Sequence, residues 1–187
     1  MVNRKTQIID LALKLIQQKG YVAFSYDDIS KELSVTKASI HYHFEKKEDL
    51  GVAVAERIFQ SLQNFLLSTK DSSLTVEEKF LQFIQQRAER ISCTEICPIS
   101  SLQTDFESLP EIVRQKIEEV SRLELSIINE IVTEAQTEGI VSSSENTQSL
   151  AIMILASIKG ALLYRRVLGD DVLNDVLGQI NRFLRKT

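Results

Sequence analysis

Apolar residues recur at helical spacing along nearly the whole chain. In residues 4–19 they fall at Ile8, Leu11, Ala12, Leu15 and Ile16, the i, i+3, i+4, i+7, i+8 stripe of a helix with one buried face. Gly20 follows, where a left-handed residue closes a helix. An apolar link, residues 21–24, precedes Ser25. A hydroxyl there caps a second helix, and Asp28 three residues on answers the cap and favours the positive helix end. Ile29 and Leu33 are its buried positions. Residues 34 and 35 turn the chain, and Thr36 caps a third, short helix. Val35, Ile40 and Phe44 give that helix one thin apolar edge beneath a surface of Lys, Ser, His and Tyr. Three short helices in under fifty residues, the last two joined tightly, form a helix-turn-helix pattern.

The rest reads as longer helices. One runs from Lys46 or Lys47 to about Leu67, with Leu50, Val54, Ile58, Phe59, Leu62, Phe65 and Leu66 apolar. Residues 71–73 form a loop. Thr75 with Glu78 is a capping box opening a helix to about Ile91, with Phe80, Phe83, Ile84 and Arg87 on one side. Residues 93–98 interrupt, since Pro98 disfavours helix at Cys97. A short helix covers residues 99–107. Ser108, Pro110 and Glu111 restart a helix that Gly139 stops. Ser142 with Glu145 is read as another capping box, opening a helix through Leu168. Gly169, Asp170 and Asp171 lead to a last helix ending near Arg185. The expectation is an all-α protein of about nine helices, with a three-helix N-terminal domain over residues 1–47 and a larger helical domain over residues 48–187.

Composition agrees: 43% hydrophobic, 26% charged, two prolines and six glycines in 187 residues, a profile that favours helices. Charge adds something. The formal net is −4, yet residues 1–47 carry eight Lys/Arg against five Asp/Glu, a net of +3, and the other 140 residues carry 14 against 21, a net of −7. A basic head on an acidic body suits an anion-binding module joined to something else. The most apolar run, from residue 150, soon meets Lys159, Arg165 and Arg166 and is too short to cross a bilayer. With no leader-like stretch near the start and only two cysteines, a cytoplasmic protein without membrane partners is expected. Enzymatic chemistry is not expected. Both histidines lie in the third helix, and no nucleophile motif, phosphate loop, metal constellation or cofactor motif is present.

Gly20, Tyr21, Phe24, Ser25, Asp28 and Ile29, followed by Leu33, Ser34, Val35, Thr36, Lys37, Ser39, Ile40, His41, Tyr42, His43, Phe44, Lys47 and Leu50, closely resemble the N-terminal domain of the TetR/AcrR family of bacterial transcription regulators. The match is detailed over about residues 4–50. Ser34 stands where the family usually has Gly, and His41 where it usually has Tyr. The resemblance implies a transcriptional regulator, most simply a repressor that binds a palindromic double-stranded DNA operator and is released by a small-molecule effector. Lys37, Ser39 and Tyr42 then sit where family members reach base edges, and Ala38 is small enough to let the helix start approach them. Ser25, Thr36, His41, His43 and Lys47 look like DNA-backbone contacts. For each the alternative is capping or core support, and His43 is open between a backbone contact and locking the third helix onto the fourth. An adaptor that keeps this fold without binding DNA is disfavoured by the +3 head.

One reading helix covers too few base pairs for a unique site, so two must act together. The resemblance implies a homodimer sealed by a four-helix bundle. The expected seam is Leu150, Ile154, Ile158, Gly160, Ala161, Leu173, Leu177, Ile180 and Leu184. Phe59, Phe65, Phe83, Phe106, Met153 and Tyr164, with Arg87 and Gln103 as polar fixers, are the candidate lining for a hydrophobic or aromatic effector, although aromatics at this spacing are commonly plain core. A second version is a redox- or electrophile-responsive regulator using Cys97 with Cys93, set against free Cys as a small buried hydrophobe. Two thiols without a nearby His make no zinc site.

Overall fold

A computed structural model describes residues 3–70, 72–87 and 91–184. Nine α-helices and one 3-10 turn make up the described residues, with no strand among them. They are α1 (Arg4–Ala23), α2 (Tyr26–Glu32), α3 (Lys37–His43), α4 (Lys47–Lys70), α5 (Val76–Arg87), α6 (Pro98–Thr104), a 3-10 turn (Phe106–Ser108), α7 (Glu111–Thr137), α8 (Thr147–Leu168) and α9 (Asp171–Phe183). The chain divides into two compact units, Met1–Ser61 with Pro98–Ser121 and Leu62–Cys97 with Arg122–Thr187. Residue 47, the domain boundary expected from the sequence, lies inside the first unit.

In the first unit the α1 stripe is buried as expected: Ile8, Leu11, Ala12, Leu15 and Ile16. Gly20 breaks the helix at φ +85°, and one further turn, residues 21–23, follows before α1 ends. A Cβ at Gly20 would also lie 2.9 Å from the Asp105 carboxylate, which accepts from the Val22 N–H at 3.2 Å. Gly is therefore required there twice, by dihedral and by space. Gly51 on α4 answers a second close approach: a Cβ would stand 2.8 Å from the Tyr21 ring and 3.1 Å from Val113. On α6, the buried Ser101 hydroxyl donates to the Ile16 carbonyl at 2.6 Å, joining it to α1.

In the second unit, Leu62, Phe65, Phe80, Phe83, Ile84, Ile127, Ile128, Ile131, Ile154, Ile158 and Leu162 form the core. Lys79 is buried but gives both Glu134 carboxylate oxygens a 2.7 Å bond. Lys159 pairs with the buried Glu124 at 2.6 Å. Arg165 donates to the carbonyls of Ile91 and Ser92 at 2.7 and 3.1 Å, closing the non-helical stretch before α6. A buried charge without such partners would cost several kcal/mol, on the order expected for an unpaired ion.

Several boundaries differ from the sequence reading. Helix α4 runs one turn past Leu67. Helix α5 is described only to Arg87, and Ile91 is not helical; the expected end at Arg185 and the loop position Asp71 lie outside the described residues. Ser108 belongs to the 3-10 turn, and the first N–H groups of α7, at Val113 and Arg114, bond instead to the Pro110 carbonyl. The Ser142/Glu145 box does not form. Asn146 caps α8, accepting from the Ser149 N–H at 2.8 Å. The run of hydroxyls at 142–144 offered several caps, and an Asn directly before the helix outcompetes them.

The turn between α2 and α3 explains Ser34. Val35 N–H bonds to Ser30 O at 3.0 Å and Ser34 N–H to Lys31 O at 3.3 Å, the 6→1 and 5→2 pair of a Schellman motif. Ser34 occupies its left-handed position at φ +52°. A side chain there costs ~1 kcal/mol. Ser34→Gly is therefore expected to raise the thermal midpoint by a degree or more and Ser34→Val to lower it, both read by circular dichroism. A midpoint raised by Val, or lowered by Gly, contradicts this account.

Candidate nucleic-acid interface

Helix α3 has seven residues, too few to be stable alone. Its ends and one edge are held by neighbours. Thr36 Oγ1 accepts from the Ser39 N–H at 3.2 Å. Ile40 and Phe44 are buried. The Tyr26 hydroxyl donates to the Phe44 carbonyl at 3.0 Å; burial, aided by Asp49, pushes this phenol up to about 12, so it stays a donor. Lys5 lies over the Phe44 ring at 5.5 Å. Helix α2 is fixed just as firmly. Ser25 and Asp28 complete a capping box, and Asp28 pairs with Lys19 of α1 at 2.8 Å.

What remains outward on α3 is polar. Tyr42 is 85% exposed, and its ring meets His43 edge-on at 5.1 Å. Ala38 is exposed beside it in the first turn. The Lys37 ammonium is 2.7 Å from Asp27, both groups more than half exposed. Such a pair is worth under about 1 kcal/mol, so a DNA acceptor can replace Asp27 at little cost. Ser39 is half-buried, its N–H already used by the cap. His41 is exposed, its ring edge-on to Tyr26 at 4.9 Å. Its Nδ1–H donates to the Glu45 carbonyl at 3.0 Å, which leaves Nε2 for an outside partner. His43 is half-buried.

Two of the expected backbone contacts are otherwise engaged. Ser25 is a complete cap. Lys47 turns inward: its ammonium donates to the Val22 carbonyl at 3.1 Å and lies 4.8 and 4.5 Å from the Tyr21 and Phe24 rings. Burial lowers its pKa. The start of α4 carries Glu48 and Asp49, and Asp49 accepts from the Lys46 N–H at 2.9 Å. A grip of Lys47 on a phosphate at this helix start would have to replace these contacts within the chain. Tyr26 and Asp27, which hold His41 and Lys37, were missed. Their position on the facing helix was legible, but one helix does not reveal which side chains of another it touches.

The effector candidates divide between the units. Phe59, Gln103 and Phe106 belong to the first, where Phe59 lies under Lys116 at 4.7 Å and Gln103 donates to Ser121 at 2.9 Å. Phe65, Phe83 and Arg87 come together in the second: the rings meet edge-on at 5.4 Å, and the guanidinium lies 4.7 Å from Phe83 and 5.8 Å from Phe65. Met153 and Tyr164 are exposed on α8 and line no interior. The residues of the expected dimer seam are largely interior in the single chain. Ile154, Ile158, Ala161, Leu173, Ile180 and Leu184 are buried in the chain's own core, and Leu150, Gly160 and Leu177 are partly covered. The large apolar residues that α8 leaves exposed are Ile152, Met153, Leu163, Tyr164, Val167 and Leu168. Cys93 is exposed and Cys97 partly so, and neither forms a disulfide. No group of three metal-binding side chains occurs among the described residues, and none of their helices is long and apolar enough to cross a membrane.

Comparison with known proteins covers both parts of the chain. The family model for bacterial regulatory proteins of the tetR family matches residues 8–54, and that for a tetracyclin repressor-like C-terminal domain matches residues 78–178. A solved TetR transcriptional regulator from Legionella pneumophila is 32% identical and superposes with a TM-score of 0.81 over 99% of each chain. The negative transcriptional regulator IcaR of the biofilm operon icaADBC, from Staphylococcus epidermidis, is 26% identical across 81% of this chain and 80% of its own. The transcriptional repressor DhaR from a Mycobacterium strain is 23% identical across 87% and 82%. Nothing in these relatives supports the cysteine-based alternative.

The Ser25 cap has a measurable signature. Lys19 and the Ser25 hydroxyl and N–H hold the Asp28 carboxyl at about 2, down from 3.8. Since the folded value is the lower one, the cap's contribution is whole above about pH 4 and fades as pH falls through 2. Carboxyl NMR titration should place Asp28 near 2 in the native protein and measurably higher in Ser25→Ala, which loses the hydroxyl but keeps Lys19 and the backbone N–H. That variant should also lose about 1 kcal/mol of stability. An Asp28 midpoint near 4 in the native protein contradicts the network.

Proposed function

We infer that this chain, a transcriptional regulator that belongs to the tetR family of bacterial regulatory proteins, is a cytoplasmic homodimeric repressor that binds a palindromic operator and leaves it when a small molecule binds. The family binds DNA and dimerises. The single observation that carries the reading is the surface of α3: a capped, buried-edge helix that displays Tyr42, Lys37 and Ala38 while its apolar residues face inward. A solvated surface helix has no need of so exposed an aromatic ring. In this reading residues 1–47 form the reading head and residues 48–187 serve dimerisation and sensing.

Contacts sort by chemistry. Lys37 exchanges Asp27 for a guanine edge, and the Tyr42 ring meets a thymine methyl. Ser39 serves a nearby acceptor, and the Nε2 of His41, whose ring proton lies on Nδ1, accepts from a nearby donor. Thr36 combines its cap with a phosphate contact, and His43 supports Tyr42 from its edge. Ser25 and Lys47 act by holding the head in shape. Two heads about one DNA turn apart, ~34 Å or a related spacing, read the two half-sites.

The seam is on the outer face of α8. Met153, Ala156, Gly160, Leu163 and Val167 follow one another by three or four residues and are exposed or half-exposed. A Cβ at Gly160 would meet nothing within 4 Å in this chain, so close approach by a second copy is open there. Five apolar positions in a stripe, with Val167 82% exposed, make a patch that a monomer rarely leaves in water. The ligand acts by preferring a dimer whose heads are wrongly spaced for the operator.

Two measurements test these statements. Purified protein should bind a palindrome from its own promoter region with affinity that falls steeply as salt rises. Tyr42→Ala should weaken that binding at least tenfold without a change in helicity; unaltered binding removes α3 as the reading helix. Leu163→Glu, at a position that is exposed in the single chain, should give a folded monomer by light scattering and lose operator binding. A dimer that survives this change places the seam elsewhere.

A further inference from the structure

Among the described residues of the second unit, the cations shielded from water other than Arg87 each have an anion or carbonyl partner, although Arg165 leaves its Nε without a hydrogen bond. Lys79 has Glu134, Lys159 has Glu124, and Arg165 has two carbonyls together with Asp170 at 3.7 Å. Arg87 differs. Its Nε and Nη2 are both shielded from solvent and have no hydrogen-bond partner. Those two groups form one edge of the guanidinium, the planar fork whose parallel N–H bonds match the two oxygens of a carboxylate. An Arg stays charged in a protein, and leaving charged donors unsatisfied is costlier than leaving neutral ones.

The surroundings specify more. The faces of Phe83 and Phe65 lie 4.7 and 5.8 Å from the guanidinium carbon. The opposing charge on Arg87 from elsewhere in the unit comes from Glu124 and, on the loop before α6, Cys97. Glu124 is itself buried and already held at 2.6 Å by Lys159. Among these described groups, Arg87, Lys159 and Glu124 sum to one positive charge whenever Cys97 carries its proton. That balance suits a monoanion with an apolar body; a phosphate dianion would overshoot it.

We propose that Arg87 anchors the effector, and that the effector is a small monocarboxylic acid whose carboxylate takes the Nε–H and Nη2–H fork while its aryl or alkyl body packs on Phe65 and Phe83. This rests on the reading of the chain as an effector-released repressor and names the chemical class of what releases it. Arg87 is more than a charge here. A lysine at 87 would keep the cation but lose the fork.

The experiment uses the full-length protein, with benzoate, phenylacetate and octanoate as probes, and benzamide and inorganic phosphate as controls. Thermal midpoint and calorimetric affinity are read alongside operator binding in the same samples. At least one carboxylate should raise the midpoint and bind ten or more times tighter than benzamide or phosphate, and should release the operator. Arg87→Gln should weaken its binding at least a hundredfold and Arg87→Lys at least tenfold, with operator binding retained in both. If Arg87→Gln does not fold, Arg87→Lys alone decides. The inference is overturned if no carboxylate binds, if benzamide or phosphate binds as well as the carboxylates, or if Arg87→Lys binds them like the native protein. Operator binding that persists without carboxylate binding sinks this inference alone; absence of operator binding sinks the repressor reading.

Discussion

The polar surface that the N-terminal helices present outward depends on keeping a seven-residue helix folded. Helix nucleation fixes several residues before it gains one hydrogen bond, so α3 cannot persist by propensity. Its order comes from outside: the Schellman turn at Ser34, the Thr36 cap, two buried side chains and the Tyr26 bond to Phe44. The same logic runs down through α2, whose Ser25–Asp28 box is tied to Lys19 of α1. Tyr42 can be fully outward because these contacts have already ordered the backbone beneath it. A side chain that had to help hold the helix could not also be spent on a base.

Local devices were legible in the sequence because they are read within four or five residues. Ser25 with Asp28, Thr36, and Thr75 with Glu78 all form as spacing predicts, and Gly139 ends α7 at φ +73°. Errors arose where several residues compete for one job, as in the polar run before α8, where Asn146 takes the cap. Other positions stay ambiguous in sequence because a side chain has two physical uses. Lys47 sits at a helix start, which suggests an anion, yet its long stem reaches a carbonyl and two rings. Sequence shows the charge and the position but not the rotamer that chooses between them.

Periodicity fails in a more instructive way on α8. Ala151, Ile154, Leu155, Ile158, Ala161 and Leu162 are buried, while Ile152, Met153, Leu163, Tyr164 and Val167 are exposed. Both sets are apolar, so spacing alone cannot say which one the chain keeps for itself. Sequence reading assigns the buried set to the dimer seam, whereas in the single chain that set lies in the chain's own core with Leu173, Ile180 and Leu184 of α9. Had α8 been a simple surface helix, its outer face would carry charges. The apolar outer face is therefore the candidate for a second chain that the proposal takes, and in the sequence it is present as an excess of apolar residues without an address.

The effector candidates are hard to sort for a related reason. Aromatics mark interiors, and of the candidates Phe59 and Phe106 belong to one unit and Phe65 and Phe83 to the other. Hydrophobicity does not distinguish a core from a pocket, since both are apolar and packed. An unspent charge does distinguish them. Core packing selects against a buried donor without an acceptor, so a guanidinium whose side-on edge is dry and has no acceptor among the described residues is where a partner from outside fits. At Arg87 the geometry of the missing partner follows from the geometry of the fork: two acceptor oxygens in one plane, bearing one charge, on a body that tolerates phenyl rings.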